Sequence, residues 1–251
     1  MKIEIIGYGN VGKHIYEEFK SLSPTIYDPK YEEYNIKSKE FFDFSFICVP
    51  TDSNENGSCD ISIVNDAVRK CNADVVILKS TVPVGLTNFL GSLYNKNIVF
   101  SPEYYGTTLH SYNECNFLIL GGDSKNCSKV AQLYYKIKPS NFRILFSDAS
   151  AAELAKYMEN CFLGLKVTFC NEFAEVAEAY GVNYEQLREL FVADERVGQS
   201  HTYVYKDQPY YDSHCLNKDI PAFIHIAQDA GIEPDLMKTV NKVNQKKKRV
   251  R

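Results

Sequence analysis

No apolar run in the sequence approaches the ~20 residues needed to cross a bilayer, so no helical membrane span is expected. No signal-peptide pattern opens it either: Met1, Lys2, Ile3 and Glu4 run straight into a strand-like segment. Positive charge is not in excess. The chain carries 28 Lys and Arg against 32 Asp and Glu, a net charge of -4 with a pI of about 5.8. No global field therefore attracts nucleic acid or an anionic membrane. None of the 8 cysteines pairs in a CxxC spacing, and the chain is not a small secreted scaffold. Reduced thiols in a cytoplasmic protein are the expectation, with one of them open to a reactive role. There is no internal repeat.

What is present is a chain of 251 residues, 45% hydrophobic, enough for a core and for two domains or one large one. The first part alternates short apolar runs with amphipathic stretches. Strands are expected at 2–6, 25–27, 44–49, 75–79, 98–100, 117–120 and 143–146. Helices are expected at 11–19, 61–71 and 129–135. Alternating strands and helices make an α/β domain with a parallel sheet covered on both faces, expected over 1–147.

The pattern changes after Ser147, and 148–251 is expected to be all helical. One helical signal without proline runs from Ser150 to about Tyr180. Ser150 and Glu153 suggest a capping box. Leu154, Tyr157, Met158, Cys161, Phe162, Leu165 and Phe169 suggest one buried stripe, and Gly181 a C-cap. A second helix is expected over 184–193. A third is expected to start near Asp219 with Pro221 in its first turn and to end by Gly231. The basic tail from Lys246 to Arg251 is expected to be a frayed, solvated end.

Gly7, Tyr8, Gly9, Asn10, Val11 and Gly12 spell GxGxxG between a strand and a helix, the context that gives this motif its meaning. Gly7 permits the tight turn, Gly9 lets a pyrophosphate approach the backbone, and Gly12 allows close helix–strand packing. The helix N-terminus then faces the anion. Asp28 closes the next strand, where an acid bonds the ribose hydroxyls of NAD and repels the 2′-phosphate of NADP. The expected fold is a Rossmann-type doubly wound sheet followed by a helical domain with a long central helix.

Further segments, in order, resemble the UDP-glucose/GDP-mannose 6-dehydrogenase family. They are Cys48-Val49-Pro50-Thr51, Lys79-Ser80-Thr81-Val82-Pro83-Val84-Gly85 and Ser101-Pro102-Glu103. Next comes Glu153-Leu154-Ala155-Lys156-Tyr157 with Asn160. Asp194-Glu195-Arg196-Val197-Gly198 and Cys215-Leu216-Asn217-Lys218-Asp219 follow. The resemblance implies two NAD-dependent oxidations of a nucleotide sugar at C6, from alcohol to carboxylate. It implies that Val49, Pro50, Thr51, Thr81 and Lys218 join Gly7, Gly9, Asn10, Val11, Gly12 and Asp28 at the cofactor. Lys156 and Asn160, four residues apart, share a helix face that could stabilise an oxyanion, with Gly164 leaving room beside them. Cys215 is the implied nucleophile, at a helix N-terminus near Lys218 that favours the thiolate. Asp219 is the implied base, and Glu103 and Thr81 position the hydrolytic water. A homodimer through the long helix is implied as well.

Two departures stand against this pattern. Where the family has a glycine-rich loop before the cysteine, this chain reads Tyr210-Tyr211-Asp212-Ser213-His214, and Asn217 replaces a proline. Thr107 and Thr108 stand where an acid and a glycine follow the glutamate. The loop must fold differently or bind something else, and Asp212 would repel a diphosphate. The resemblance implies a further C-terminal, nucleotide-holding domain, and the 251 residues stop shortly after the third expected helix. The expectation is a chain that binds NAD but oxidises UDP-glucose weakly. Two alternatives compete: a non-catalytic NAD-binding homologue, and a two-domain dehydrogenase of the 3-hydroxyacid type, which yields one NADH per substrate rather than two.

Overall fold

The structure is a computed structural model, and it describes residues 1–104 and 116–249. The expectations for Thr107, Thr108, Cys115, Val250 and Arg251 lie outside the described residues. The chain divides into two compact units. One holds residues 1–52, 59–104 and 116–156, the other 53–58 and 157–249.

The first unit is built on a seven-stranded sheet: β1 (Ile3–Ile6), β2 (Thr25–Tyr27), β3 (Phe42–Ile47), β4 (Ala73–Leu78), β5 (Ile98–Phe100), β6 (Phe117–Gly121) and β7 (Arg143–Ser147). The spatial order is β2-β1-β3-β4-β5-β6-β7, parallel except where β5 meets β6. All four residues of β1 are buried, because helices cover both faces. Ile3 and Ile5 pack with Ile15 and Phe19 of α1 (Asn10–Phe19) and with Val130 and Leu133 of α4 (Ser124–Tyr134). Ile6 packs on the other face, with Val64 and Val68 of α2 (Ser62–Lys70) and Leu86 and Leu90 of α3 (Leu86–Tyr94). The period-2 alternation of a strand produces this division. The strand order reverses between β1 and β3, so the glycine turn at the C-terminal end of β1 opens at a topological switch point, where doubly wound sheets bind ligands.

The long helix α5 spans Ala149–Ala179, close to the expected range. It is not started by a capping box. Asp148 accepts the Ala151 amide at 2.8 Å, while Glu153 is fully buried and bonds elsewhere. Nor is its apolar stripe uniformly buried. Tyr157 and Cys161 are buried, but Leu154, Met158, Phe162 and Phe169 are exposed. At about 100° per residue all of them fall within one arc of roughly 140°, and only one side of that arc is covered.

The second unit adds α6 (Tyr184–Val192), α7 (His214–Asp229) and α8 (Asp235–Arg249). Helix α7 starts five residues before the expected start, since Ser213 and not Asp219 caps it: the Ser213 Oγ accepts the Leu216 amide at 3.2 Å. Pro221 therefore lies inside the helix. The tail, expected to fray, is helical through Arg249. Its apolar positions Met237 and Val240 bury against Leu216 and Ile220, which stabilises the helix despite its run of lysines.

Candidate functional site

In the glycine turn each conformational demand is explicit. Gly7 has φ +92°, and a Cβ there would stand 2.6 Å from the Cys48 carbonyl oxygen. A Cβ on Gly12 would stand 1.9 Å from the Gly7 oxygen. Around a Cβ on Gly9 there is open space to 4 Å. Gly9 is the N-cap of α1 and no side chain caps that helix, so the amides of the first turn, including those of Asn10 and Val11, are left for an anion. Asp28 directly follows β2, buried, and its carboxylate accepts the Tyr8 amide at 2.7 Å and the Lys30 amide at 2.9 Å. It thus ties the turn to the second strand; each oxygen keeps a further lone pair for a ribose hydroxyl. Val49, Pro50 and Thr51 leave β3, the parallel neighbour of β1, and the Cys48 amide donates to Ile6 at 2.8 Å. A dinucleotide fits these residues: a backbone cradle a Cβ would fill, free helix amides and an acid at the adjacent strand end.

A second group in the same unit gathers at the ends of β4 and β5. The Ser80 Oγ donates to the Val49 carbonyl at 2.6 Å, holding the Thr81 segment beside the β3 end. Glu103 accepts the Tyr104 amide at 3.0 Å through Oε1, and its Oε2 lies 3.4 Å from the Lys79 ammonium. The Lys156 ammonium sits 4.6 Å from the centroid of the Tyr104 ring, a cation–π contact. Lys156 and Glu103 are thus joined through Tyr104, which the sequence reading passed over. Glu153, one turn before Lys156, accepts the amides of Gly85 and Thr87 at 2.6 and 2.9 Å and the Thr87 hydroxyl at 2.6 Å. Burial raises its carboxyl and these bonds oppose the rise. The residue expected to cap α5 instead fastens α5 to the α3 start.

The second unit holds the rest. The Asn160 amide donates to Asp219 Oδ2 at 2.5 Å, and Lys218 donates to Oδ1 at 2.6 Å. Asp219 is 1% exposed, with both oxygens engaged. Lys218 meets Asp219, so its charge is directed there. Cys215 is the second residue of α7 and the one exposed thiol among the seven described cysteines. Burial pushes the Cys48 and Cys161 thiols up to about 12, with Asp219 adding to the rise at Cys161, and lifts Cys127 to about 11. Those three stay protonated at neutral pH. The room expected beside Gly164 is taken: a Cβ there would meet Ile220 Cδ1 at 2.4 Å. Gly164 serves the packing of α7 on α5.

The loop before Cys215 is held by side chains from α8. Asn244, buried, accepts the Tyr211 amide at 2.8 Å and donates to its carbonyl at 3.1 Å. Asp212 takes Asn217 at 2.8 Å and is paired with Lys248. Its charge, expected to repel a diphosphate, is thereby opposed within the unit.

Among the described residues no helix is long and apolar enough to cross a membrane. The model of the UDP-glucose/GDP-mannose dehydrogenase family NAD binding domain matches residues 30–138, and that of its central domain matches residues 150–246. The UDP-glucose 6-dehydrogenase of Rickettsia prowazekii is 29% identical over 90% of this chain and 57% of its own length. The chain spans about half the length of the curated relatives it matches. A UDP-glucose dehydrogenase from Pyrobaculum islandicum shares the fold at a TM-score of 0.81 and 24% identity, over 97% of this chain and 68% of that one. A 3-hydroxyisobutyrate dehydrogenase from Mycobacterium tuberculosis shares it at 0.72 and 16% identity, over 98% and 92%. With its two domain models covering most of the residues in family order, the chain, NAD-binding domain included, belongs to the UDP-glucose/GDP-mannose dehydrogenase family.

Proposed function

We propose that this chain carries out NAD-dependent oxidation of the C6 alcohol of a nucleotide sugar of the UDP-glucose type to the carboxylate, by way of a thioester on Cys215. The observation that carries the reading is the placement of Cys215, an exposed thiol in the first turn of the helix whose Asp219 is fastened to Asn160. Residues 1–147 would form the cofactor domain and 148–251 the central, dimerising one. NAD bound in the cofactor domain would supply the hydride acceptor for both oxidations. Gly7, Gly9, Asn10, Val11 and Gly12 would hold its pyrophosphate and Asp28 its ribose, with Val49, Pro50, Thr51, Thr81 and Lys218 completing its site.

Cys215 holds the aldehyde between the two oxidations as a thiohemiacetal and the acyl group after the second as a thioester. Lys156 and Asn160, one turn apart on α5, face the oxygen that gains charge when the sulfur adds. Asp219, with one donor on each oxygen, keeps lone pairs to act as the base while it orients the Asn160 amide. Water positioned by Glu103 and Thr81 adds to the thioester carbon and expels the thiolate.

The protein would act as a homodimer. Met158, Phe162, Phe169, Phe173 and Val176 of α5, with Tyr180 directly after it, recur at three-, four- and seven-residue spacing and are exposed, Met158 at 74% and Tyr180 at 82%. A stripe along one helix is self-complementary under a two-fold axis. Light scattering at micromolar concentration should give twice the chain mass; a monomer overturns this part.

The test of the chemistry is a screen of nucleotide sugars for NADH formation with product analysis. Two NADH per carboxylate is expected. One NADH per substrate, with no covalent adduct on Cys215, would instead favour a chemistry like that named for the mycobacterial fold relative. Tight NAD binding with no NADH from any sugar would make the chain a non-catalytic homologue.

A further inference from the structure

We propose that Lys79 is a positioning residue, fixing the Glu103 carboxylate for hydrolysis of the Cys215 thioester; this rests on the reading just given. Lys79 directly follows β4 and is 4% exposed, and a buried ammonium is costly unless paired. Its backbone is fixed in the sheet, with its amide donating to Ile47 at 3.0 Å. Its Nζ lies 3.4 Å from both the Ser101 Oγ and Glu103 Oε2. Ser101 is itself locked to the sheet, its amide donating to Leu78 at 2.9 Å. Glu103, by contrast, stands three residues past β5, after Pro102, where the chain has left the ladder. Lys79 is thus the link from a rigid strand end to a carboxylate on a loop.

The carboxylate is gripped at each oxygen from a different side, Oε1 by the Tyr104 amide and Oε2 by Lys79. Behind the pair lies a cavity of about 30 Å³ lined by Lys79, Glu103, Tyr104, Tyr134, His14 and Glu18. It is large enough for a water, and the buried Tyr134 hydroxyl has no protein partner. Removing the ammonium would let the carboxylate turn toward this polar space. A misplacement of about 1 Å costs roughly 100-fold in rate.

The experiment is a quenched-flow single turnover of the full chain with NAD and UDP-glucose, following NADH and, by intact mass, the acyl adduct on Cys215. For Lys79→Met the first NADH should form at near the wild-type rate while the adduct accumulates and its hydrolysis slows by about 100-fold. Lys79→Arg should recover part of that loss. Added to Glu103→Gln, Lys79→Met should slow hydrolysis no further. If Lys79→Met alone does not fold, the double variant, free of both charges, is compared with Glu103→Gln in the same way. Equal slowing of oxidation and hydrolysis, or losses that multiply in the double variant, overturns the role while leaving the Cys215 reading intact. A wild-type chain that never forms the adduct sinks that reading first, and the role of Lys79 with it.

Discussion

Residues 7–12 and residues 210–215 both lead the chain into the first turn of a helix, α1 in one case and α7 in the other. In the first, glycines clear the space: a Cβ at Gly7 or Gly12 would strike backbone, and no side chain caps α1. In the second there is no glycine. Ser213 caps α7, Asn244 clasps the Tyr211 backbone from both sides, and Asp212 is tied to Asn217 and Lys248. A helix start whose amides stay open binds an anion by backbone. A helix start whose amides are occupied by its own cap can still present a side chain, here Cys215. On the proposed function the difference separates cofactor binding from covalent chemistry, and each variant below acts on one side of it.

The largest effect is expected from Cys215→Ser. A hydroxyl forms the hemiacetal less readily, and its ester hydrolyses slowly, so carboxylate formation should fall by about 10⁴- to 10⁶-fold, the upper figure being that for outright removal of a catalytic nucleophile. NAD affinity, set by the other loop, should not change. Calorimetry with NAD beside a single-turnover assay reads both. Wild-type yield of carboxylate, or a loss of NAD affinity, would break the division.

Next come the glycines. Gly12→Ala places a methyl 1.9 Å from a backbone oxygen that cannot retreat, so stability should fall by about 1–3 kcal/mol or more and NAD affinity with it. Gly9→Ala meets open space at an ordinary φ of -77°, so the melting temperature should hold. NAD affinity should nonetheless drop about 10-fold, because the methyl enters the space the pyrophosphate needs. A Gly9→Ala variant that melts early yet binds NAD normally would show that the turn is structural only.

The two loops also differ in how far the sequence exposed them. The glycine turn was legible because its constraint is local: spacing, a preceding strand and a following helix determine it, and Asp28 falls where expected. The α/β pattern and the extent of α5 were legible for the same reason. The loop before Cys215 was not, because what replaces its glycines lies on α8, 33 residues away at Asn244. That helix was itself hidden, since a lysine-rich tail holds helical form only through Met237 and Val240 packing on α7. Glu153 misled for a kindred reason. A capping-box spacing is satisfied on paper, but its carboxylate finds better donors 66 residues away on Thr87. Tyr104 and Lys79 carried no spacing signal of their own; only the strand ends of β4 and β5 bring them to Glu103.

Asn244→Ala should come third. It strands two buried backbone groups of Tyr211, a cost of about 1–3 kcal/mol. Chemical denaturation should show this, and limited proteolysis should open at the Tyr210–Ser213 segment first. NAD affinity should stay at the wild-type level. If the variant is as stable as the parent, the loop keeps its shape by packing of Tyr211 rather than by the clasp, and the contrast between the two loops weakens.

The smallest effect belongs to the pair of Asp212 and Lys248. The hydrogen bond from Lys248, and after it that from Asn217, holds the Asp212 carboxyl below its ordinary value. A carboxyl lowered in the folded state adds stability that is fully present above its unfolded value of about 3.9 and is lost as pH falls through the folded value. The contribution is therefore complete at pH 7. It is also small, because the side chains are 43% and 27% exposed and solvent screens them, leaving roughly 1 kcal/mol or less. Lys248→Met should cost that much in urea at pH 7, less in about 1 M salt where the Debye length is near 3 Å. The gap from wild type should close as Asp212 takes up its proton in acid. Urea melts of both proteins from pH 7 down to pH 3 follow the closure. A gap that persists in acid and in salt would mean that the Lys248 stem supports the loop by packing, with the ion pair an accompaniment. Asp212 would then keep its charge toward an approaching diphosphate, and weak turnover of UDP-glucose would follow from that repulsion.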